Sequence, residues 1–246
     1  MRSSPFGGEP SAPDPLDPGP AGFAHRGFHS AGVPENSLAA FRAAIRIGAG
    51  IECDIRLSAD GEAMIFHDHD LARLCGESLA FASLPPATLA SKHLLRTGER
   101  IPRLAELLTL SARRVPLLLE LKTEQGNAGR LCAAVSRAIG GSGSRIGVMS
   151  FDPGVGAWFR RHRPDVRRGL VLSERDGGLG RWLKVARAGP QFLAVELPEL
   201  SGEWVRRARG RGPVYAWTVR TRSEAAQVAV QADAAIWEGD LGKDHG

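Results

Sequence analysis

Short apolar runs alternate with stretches of helical periodicity from Gly22 onward. Runs of about four to eight apolar residues indicate strands, and apolar residues three and four positions apart indicate helices. The predicted strands are 22–25, 50–57, 63–67, 116–122, 145–151, 168–172, 192–197, 214–219 and 234–238. The predicted helices are 37–47, 104–113, 129–139, 154–162, 180–188, 204–209 and 222–229. This alternation favours a parallel sheet covered by helices.

One pair of predicted strands breaks the alternation. Only residues 58–62 separate strand 50–57 from strand 63–67, whereas a parallel crossover needs about a dozen residues. The dipeptide Asp60-Gly61 in this interval favours a tight turn. Strand 63–67 is therefore predicted to run antiparallel to its predecessor, as a β-hairpin outside the parallel series.

Eight parallel strands remain, and the class they predict is α/β with a (β/α)8 TIM barrel. A doubly wound open sheet is the alternative, but residues 27–32 do not have the glycine spacing of a dinucleotide-binding loop. We expect residues 1–20 to form a flexible proline-rich leader outside the core, and residues 21–246 to form one domain. Segment 70–100 carries no clear strand and is predicted to be a loop-rich insertion beside the mouth of the barrel.

Hydropathy and cysteine content restrict the cellular setting. No apolar run approaches the ~18 residues of a membrane-spanning helix, and the first residues lack the apolar segment of a secretory signal. The cysteines are three, widely spaced and without a CxxC pair, which argues against a disulfide framework or a thiolate zinc site. The sequence thus favours the cytoplasm.

The charge balance does not indicate a nucleic-acid-binding protein. The formal net charge is +5, but the arginines are spread along the chain without interleaved aromatic residues or a recognisable binding motif. We therefore expect an arginine-rich solvated surface and a small-molecule substrate.

Charged residues occupy one face of two predicted barrel strands. Glu52, Asp54 and Arg56 alternate with apolar residues in strand 50–57, and the apolar set must meet the helices. The charged set then faces the barrel interior, where ionised carboxylates are costly unless a cation neutralises them. A buried ion pair with Arg56 is one way to neutralise them.

A second strand repeats this pattern. Strand 116–122 is apolar until Glu120 and Lys122 appear on one face near its C-terminal end. Carboxylates converging from two strands offer oxygen ligands for a hard divalent cation, Mg²⁺ or Ca²⁺. Lys122 would lie beside that cation and could hold an anionic oxygen of a substrate.

Two histidines end predicted strands in the same region. His25 follows the first apolar run and His67 ends strand 63–67. Imidazoles titrate near neutral pH and are suited to general acid and base roles. We therefore regard His25 and His67 as a candidate catalytic pair.

Several short motifs occur in order between residues 24 and 219. They are His25-Arg26-Gly27, Pro34-Glu35-Asn36-Ser37 with Phe41 and Ala44, Glu52-x-Asp54, Asp60-Gly61, His67-Asp68, Leu71 with Arg73, Ile101-Pro102, Glu120-x-Lys122, Ser150-Phe151 and Trp217-Thr218-Val219. The ordered set resembles the glycerophosphodiester phosphodiesterase family. The resemblance implies hydrolysis of a glycerophosphodiester to sn-glycerol 3-phosphate and an alcohol, in a TIM barrel that holds one divalent cation.

The resemblance also implies roles for individual residues. The implied metal ligands are Glu52, Asp54 and Glu120, and the implied acid and base are His25 and His67. Arg26 and Lys122 would bind the phosphate, and Trp217 would pack against the glycerol. Which histidine is the acid, and whether water or a glycerol hydroxyl attacks phosphorus, remain open at this point.

Two departures from the family pattern and two other functions accompany this interpretation. Ser37 stands where the family usually has threonine, and the last strand lacks the common Thr-Asp-x-Pro ending around Trp237. One alternative is phospholipase-D-like or sphingomyelinase-D-like headgroup cleavage through a cyclic phosphate, with apolar segments 81–84 and 94–95 at a membrane. The other is a non-catalytic barrel that binds phosphates.

Overall fold

The computed structural model describes residues 14–124, 126–141 and 145–239. Its strands are β1 (Phe23–Ala24), β2 (Gly50–Leu57), β3 (Ala63–Ile65), β4 (Asp70–Leu71), β5 (Glu77–Ala80), β6 (Leu117–Leu121), β7 (Ile146–Met149), β8 (Arg167–Leu172), β9 (Phe192–Glu196), β10 (Val214–Val219) and β11 (Ala234–Trp237). Its α-helices are α1 (Leu38–Arg46), α2 (Ala72–Cys75), α3 (Pro86–Ser91), α4 (Leu104–Ser111), α5 (Ala128–Ile139), α6 (Pro153–His162), α7 (Gly178–Ala188), α8 (Glu203–Arg209) and α9 (Arg222–Gln231).

Eight parallel strands close into a barrel. The order around the barrel is β1, β2, β6, β7, β8, β9, β10 and β11, and β1 pairs with both β2 and β11. Strand β3 pairs antiparallel with the end of β2, Leu57 opposite Ala63. The predicted TIM barrel and its hairpin excursion are both confirmed.

The interior of the barrel changes character along its axis. Near the strand N-termini, the rings of Phe23 and Phe192 each lie 5.3 Å from the ring of Tyr215. A Cβ at Gly169 would lie 2.2 Å from the Phe192 ring, so this position has room only for glycine. The apolar layer fills the barrel near the strand N-termini, and the charged residues of β2 and β6 lie nearer the strand C-termini.

Leu16 corrects the expectation that residues 1–20 stay outside the core. Its side chain is fully buried in the cluster that fills the barrel interior, together with Phe23, Leu118 and Phe192. Asp14 holds this segment in place through an ion pair from its Oδ2 to Arg167 Nη2, at 2.6 Å. A single leucine among prolines gives no periodic signal, so the sequence pattern missed it. Residues 1–13 lie outside the described residues.

The segment predicted to lack a strand contains one small antiparallel pair. Strands β4 and β5 pair with each other, and helices α2 and α3 flank them. The segment has its own apolar cluster around Phe66, Phe81 and Leu94. The prediction was wrong here because β4 has two residues and β5 is mostly exposed, so neither shows apolar alternation.

No helix within the described ranges is long and apolar enough to cross a membrane.

Candidate active site

Three carboxylates meet at the C-terminal end of the barrel. Strands β2 and β6 are neighbours, with Asp54 opposite Glu120 in the register. One oxygen from each of Glu52, Asp54 and Glu120 lies within 4.8 Å of the others, and all three side chains are buried. The alternation of faces along adjacent strands thus gathers the acidic residues that the sequence singled out.

The donor set of this cluster fits a hard divalent cation. Glu52 Oε1 is buried and has no hydrogen-bond partner among the described residues, and Asp54 Oδ1 has only the ion pair with Lys122 Nζ at 3.1 Å. Burial and the nearby Asp54 charge raise the pKa of Glu52 to about 7. A buried carboxylate oxygen without a hydrogen bond is costly, and three carboxylates close together are the ligand type of Mg²⁺ and Ca²⁺.

Two cations already contact the carboxylates. Lys122 Nζ lies 2.5 Å from Glu120 Oε1 and 3.1 Å from Asp54 Oδ1. Arg26 Nε lies 3.3 Å from Asp54 Oδ2, and the Arg26 backbone N–H donates to Glu52 Oε2 at 3.0 Å. Burial acts to raise the pKa of Asp54, but Lys122 and Arg26 outweigh it and hold that pKa below its usual range.

His25 has a carboxylate partner that the sequence interpretation missed. Its Nδ1 donates to Glu238 Oε2 at 2.8 Å, and Glu238 Oε1 also accepts a hydrogen bond from Arg220 Nε at 2.5 Å. Burial acts to lower the pKa of His25, but the Glu238 hydrogen bond and the Glu52 charge raise it above its ordinary value. The hydrogen bond with His25 is also the main reason why the pKa of Glu238 falls to about 2.

A signal for Glu238 was present in the sequence. It follows Ile236 by two positions, and Ile236 belongs to the cluster inside the barrel. The twofold period of a strand therefore directs Glu238 toward the mouth.

His67 lies on the other side of the cluster, in a different environment. Its Nδ1 donates to Asp68 Oδ1 at 2.7 Å, and Asp68 in turn pairs with Arg73. Burial lowers the pKa of His67. Both His25 and His67 are close enough to Asp54 for their charges to affect the pKa of that carboxyl.

Arg56 does not neutralise the acidic cluster. Its Nη1 lies 2.6 Å from Glu124 Oε1, and its Nε donates to the His67 carbonyl oxygen at 2.8 Å. The alternative of a buried Arg56 ion pair with the two strand carboxylates is therefore wrong. Arg56 lies two residues beyond Asp54 on β2. It therefore reaches the His67 carbonyl oxygen and holds the backbone at His67 in place.

Residues after β1 form a second layer around the site. Asn36 Nδ2 donates to Asp54 Oδ2 at 2.8 Å, and Ser37 begins α1 by accepting from the Ala40 N–H. Glu35 accepts from both Arg26 and Arg73. Ser37 thus supplies the N-cap hydroxyl where the family usually has threonine, Asn36 orients Asp54, and Glu35 orients Arg26.

An aromatic pair stands beside Lys122. The rings of Phe151 and Trp217 pack edge to face with centroids 5.7 Å apart, and Lys122 Nζ lies 6.0 Å from the Phe151 centroid. Trp217 Nε1 is buried and has no hydrogen-bond partner in the described part of the chain. An indole N–H without a partner at the mouth is available to a substrate oxygen.

The model of the glycerophosphoryl diester phosphodiesterase family matches residues 25–237. The chain belongs to this family. The family assignment makes it a phosphoric diester hydrolase and confirms the resemblance inferred from the ordered motifs. A relative in Mycobacterium tuberculosis, named a probable glycerophosphodiester phosphodiesterase 2, is 32% identical over 240 residues that cover 87% of this chain and 84% of the relative.

Solved structures share the fold. A glycerophosphodiester phosphodiesterase of Thermotoga maritima superposes with a TM-score of 0.74 at 26% identity, covering 87% of this chain and 92% of that one. A phosphodiesterase of Oleispira antarctica, solved with the product sn-glycerol-3-phosphate, has a TM-score of 0.78 at 24% identity, with 88% and 91% covered.

Proposed function

We propose that this family member hydrolyses glycerophosphodiesters to sn-glycerol 3-phosphate and an alcohol at the mouth of the barrel. The observation that carries the proposal is the group of three buried carboxylates, one with an oxygen that has no partner among the described residues, near His25 and His67. The product bound to the Oleispira antarctica phosphodiesterase supports the same chemistry for this chain.

Glu52, Asp54 and Glu120 would hold the cation, which we propose to be Mg²⁺ or Ca²⁺. When bound, such a cation supplies charge neutralisation and polarises a phosphoryl group. Oxygen-only ligands and the absence of nitrogen or sulfur donors from this cluster support a hard ion over zinc.

The two histidines divide the proton transfers between them. We assign the acid role to His25, because Glu238 stabilises the imidazolium and raises the pKa of His25. His67, whose pKa is lowered by burial, is the neutral base that takes a proton from the attacking hydroxyl. His25 then protonates the departing alkoxide. The attacking group is water, which gives glycerol 3-phosphate directly, or the neighbouring glycerol hydroxyl, which first gives a cyclic phosphate. In the second route water then opens the cyclic phosphate, with the deprotonated His25 as base and the protonated His67 as acid.

Arg26 and Lys122 would bind the phosphate and Trp217 would contact the glycerol. The guanidinium and ammonium both contact Asp54, so they converge where a phosphate would approach the carboxylates. Phe151 and Trp217 form an apolar wall beside Lys122, which suits the carbon atoms of glycerol.

The setting that we propose is the cytoplasm, in lipid and glycerol metabolism. The thiols of Cys53, Cys75 and Cys132 are free, as expected in a reducing compartment. The domain that would act as one catalytic unit includes Leu16 as well as the barrel, with 70–100 as its insertion. Of the apolar segments 81–84 and 94–95, Phe81 and Leu94 are buried and Leu95 is 54% exposed, so they present one exposed large side chain for the membrane contact that the phospholipase-D-like alternative would need.

The test is product release by chelator-treated protein with each divalent ion added back. We expect glycerol 3-phosphate from glycerophosphocholine and glycerophosphoethanolamine only after Mg²⁺ or Ca²⁺ is restored. His25→Ala and His67→Ala should each lower kcat by about 10²–10⁴-fold and leave cation affinity nearly unchanged. His93→Ala, an exposed histidine of the insertion, is the control. Wild-type turnover in either site variant would refute the acid and base assignment.

A further inference from the structure

Helix α7 presents its apolar side to solvent. Leu179, Trp182 and Leu183 are 73%, 64% and 54% exposed, and with Ala186 they follow the spacing of one helical face. Ala188 is the one member of α7 that is fully buried among the residues described. A helix on a barrel ordinarily packs this face against the strands, so the stripe of Leu179, Trp182, Leu183 and Ala186 needs another explanation.

The opposite side of α7 is held to the barrel by charged groups. Arg181 Nη1 lies 3.1 Å from Glu199 Oε2 and stacks over the Trp204 ring at 3.8 Å, and Lys184 Nζ lies 2.6 Å from Asp176 Oδ1. These contacts fix the rotation of the helix. The outward direction of the stripe is therefore determined by pairing on the inner side.

Exposed positive charge lies beside the stripe. Helix α7 has no acidic residue and its Arg187 is exposed, whereas Arg181 and Lys184 are paired with carboxylates on the inner side. A groove of about 600 Å³ between α7 and α8 is lined by Arg207 and Arg211 beside Trp182. Leucine and tryptophan on one face with basic residues around them are the composition of helices that lie in the interface of an anionic membrane.

The apolar stripe of α7 begins near the mouth of the barrel. The helix begins at Gly178, shortly after β8 ends at Leu172 on the catalytic side of the barrel. Leu179, Trp182 and Leu183 all lie in the first two turns. The stripe therefore starts beside the rim at Leu179 and runs along the flank of the barrel, since Trp182 lines the groove together with Gln191 and Pro213 at the N-terminal ends of β9 and β10.

We infer that α7 docks the protein reversibly on an anionic lipid surface, with Leu179, Trp182 and Leu183 inserted among the headgroups and arginines contacting the phosphates. A second copy of the chain is a poorer occupant, because a stable interface buries ~800 Å² on each partner and three side chains offer far less. An anionic bilayer uses both the apolar stripe and the surrounding charge. This inference does not depend on the proposed hydrolysis.

Vesicle flotation of the full chain tests the inference. We expect binding to vesicles of phosphatidylcholine with phosphatidylglycerol, weak binding to phosphatidylcholine alone, and loss of binding as salt rises. Trp182→Ser and Leu183→Ser should each weaken binding about tenfold or more, because each removes a large inserted side chain. Val230→Ser removes a 77% exposed side chain on α9 and should bind like the wild type.

A second measurement separates misfolding and self-association from membrane binding. Trp182→Phe keeps the apolar stripe, so it should still bind while losing a large part of the blue shift in tryptophan fluorescence on anionic vesicles. Equal binding by the Ser variants and the wild type would overturn the inference. So would a dimer in light scattering that Trp182→Ser dissociates while neither protein floats with vesicles.

Discussion

At the residue scale, the environments of the two histidines differ more than their sequence contexts do. Each follows a short apolar run, but His25 faces a carboxylate that is 213 positions away and His67 faces its sequence neighbour. The partner at Glu238 raises the pKa of His25 against its burial, whereas burial prevails at His67 and lowers its pKa. This difference in pKa is the basis of the acid and base roles proposed for His25 and His67.

Glu238→Gln should lower kcat by about tenfold or more and narrow the pH range of activity. The amide cannot stabilise an imidazolium, so the pKa of His25 falls. Because the required acid then loses its proton at a lower pH, the alkaline limb of the kcat–pH profile moves to lower pH. The acidic limb, which His67 sets, stays in place. Measurements of kcat against pH check this.

Two further variants complete the Glu238 experiment. Glu238→Asp, which keeps the charge, should recover part of the activity. Glu203→Gln makes the same chemical change on the exposed surface of α8 and should leave the profile unchanged. An alkaline limb that does not move in Glu238→Gln would contradict the role of Glu238.

At the element scale, the site follows from two adjacent strands. Each of β2 and β6 presents one set of side chains to the barrel interior, and Asp54 lies opposite Glu120 in their register. The sequence indicated both charged faces because strand alternation is a local property. That β2 and β6 are neighbours depends on the hairpin β3 leaving the parallel series, which the length of residues 58–62 also predicted.

Glu52→Gln should stabilise the cation-free protein. The folded-state pKa of Glu52, about 7, exceeds its ordinary value of 4.5, so its ionisation destabilises the fold as pH rises between these values. The gain, about 1–3 kcal/mol above pH 7, should vanish near pH 4.5. Urea unfolding with chelator measures it.

The same variant should respond less to metal. Added Mg²⁺ or Ca²⁺ raises the Tm of a protein that binds the ion in its folded state, and Glu52→Gln removes a ligand oxygen charge. Its rise in Tm should be smaller than that of the wild type, with Glu203→Gln as control. An equal rise in both proteins would contradict the assignment of Glu52 to the cation.

At the scale of the whole molecule, the barrel has two ends with different chemistry. Leu16 and the aromatic rings of Phe23, Phe192 and Tyr215 fill the interior near the strand N-termini, and titratable groups occupy the other end. The described residues before β1 therefore contribute to the core through Leu16. The packed apolar layer stabilises the barrel. This stability offsets the free-energy cost of burying charged groups at the C-terminal ends of the strands.

Leu16→Ala should lower the free energy of unfolding by about 2–5 kcal/mol, because it leaves a cavity among packed rings. The value of kcat under native conditions should remain close to wild type, since Leu16 lies at the opposite end from His25 and His67. Urea unfolding and steady-state kinetics measure the two effects. Leu95→Ala, at a side chain 54% exposed, should change stability little. A similar small change in Leu16→Ala would show that the leader does not contribute to the core.

The sequence by itself determined the barrel, its hairpin, the acidic cluster and the two histidines. These depend on periodicity, loop length and strand alternation, all of which are set by residues near one another in the chain. Only the tertiary structure decided that Glu238 partners His25, that Arg56 pairs with Glu124, that Leu16 is buried and that α7 faces its leucines outward. Each of these features is either a contact between segments far apart in the sequence or the direction of a helix face. Closure of the barrel brings the segments together, and a pattern within a short stretch of sequence carries no information about it.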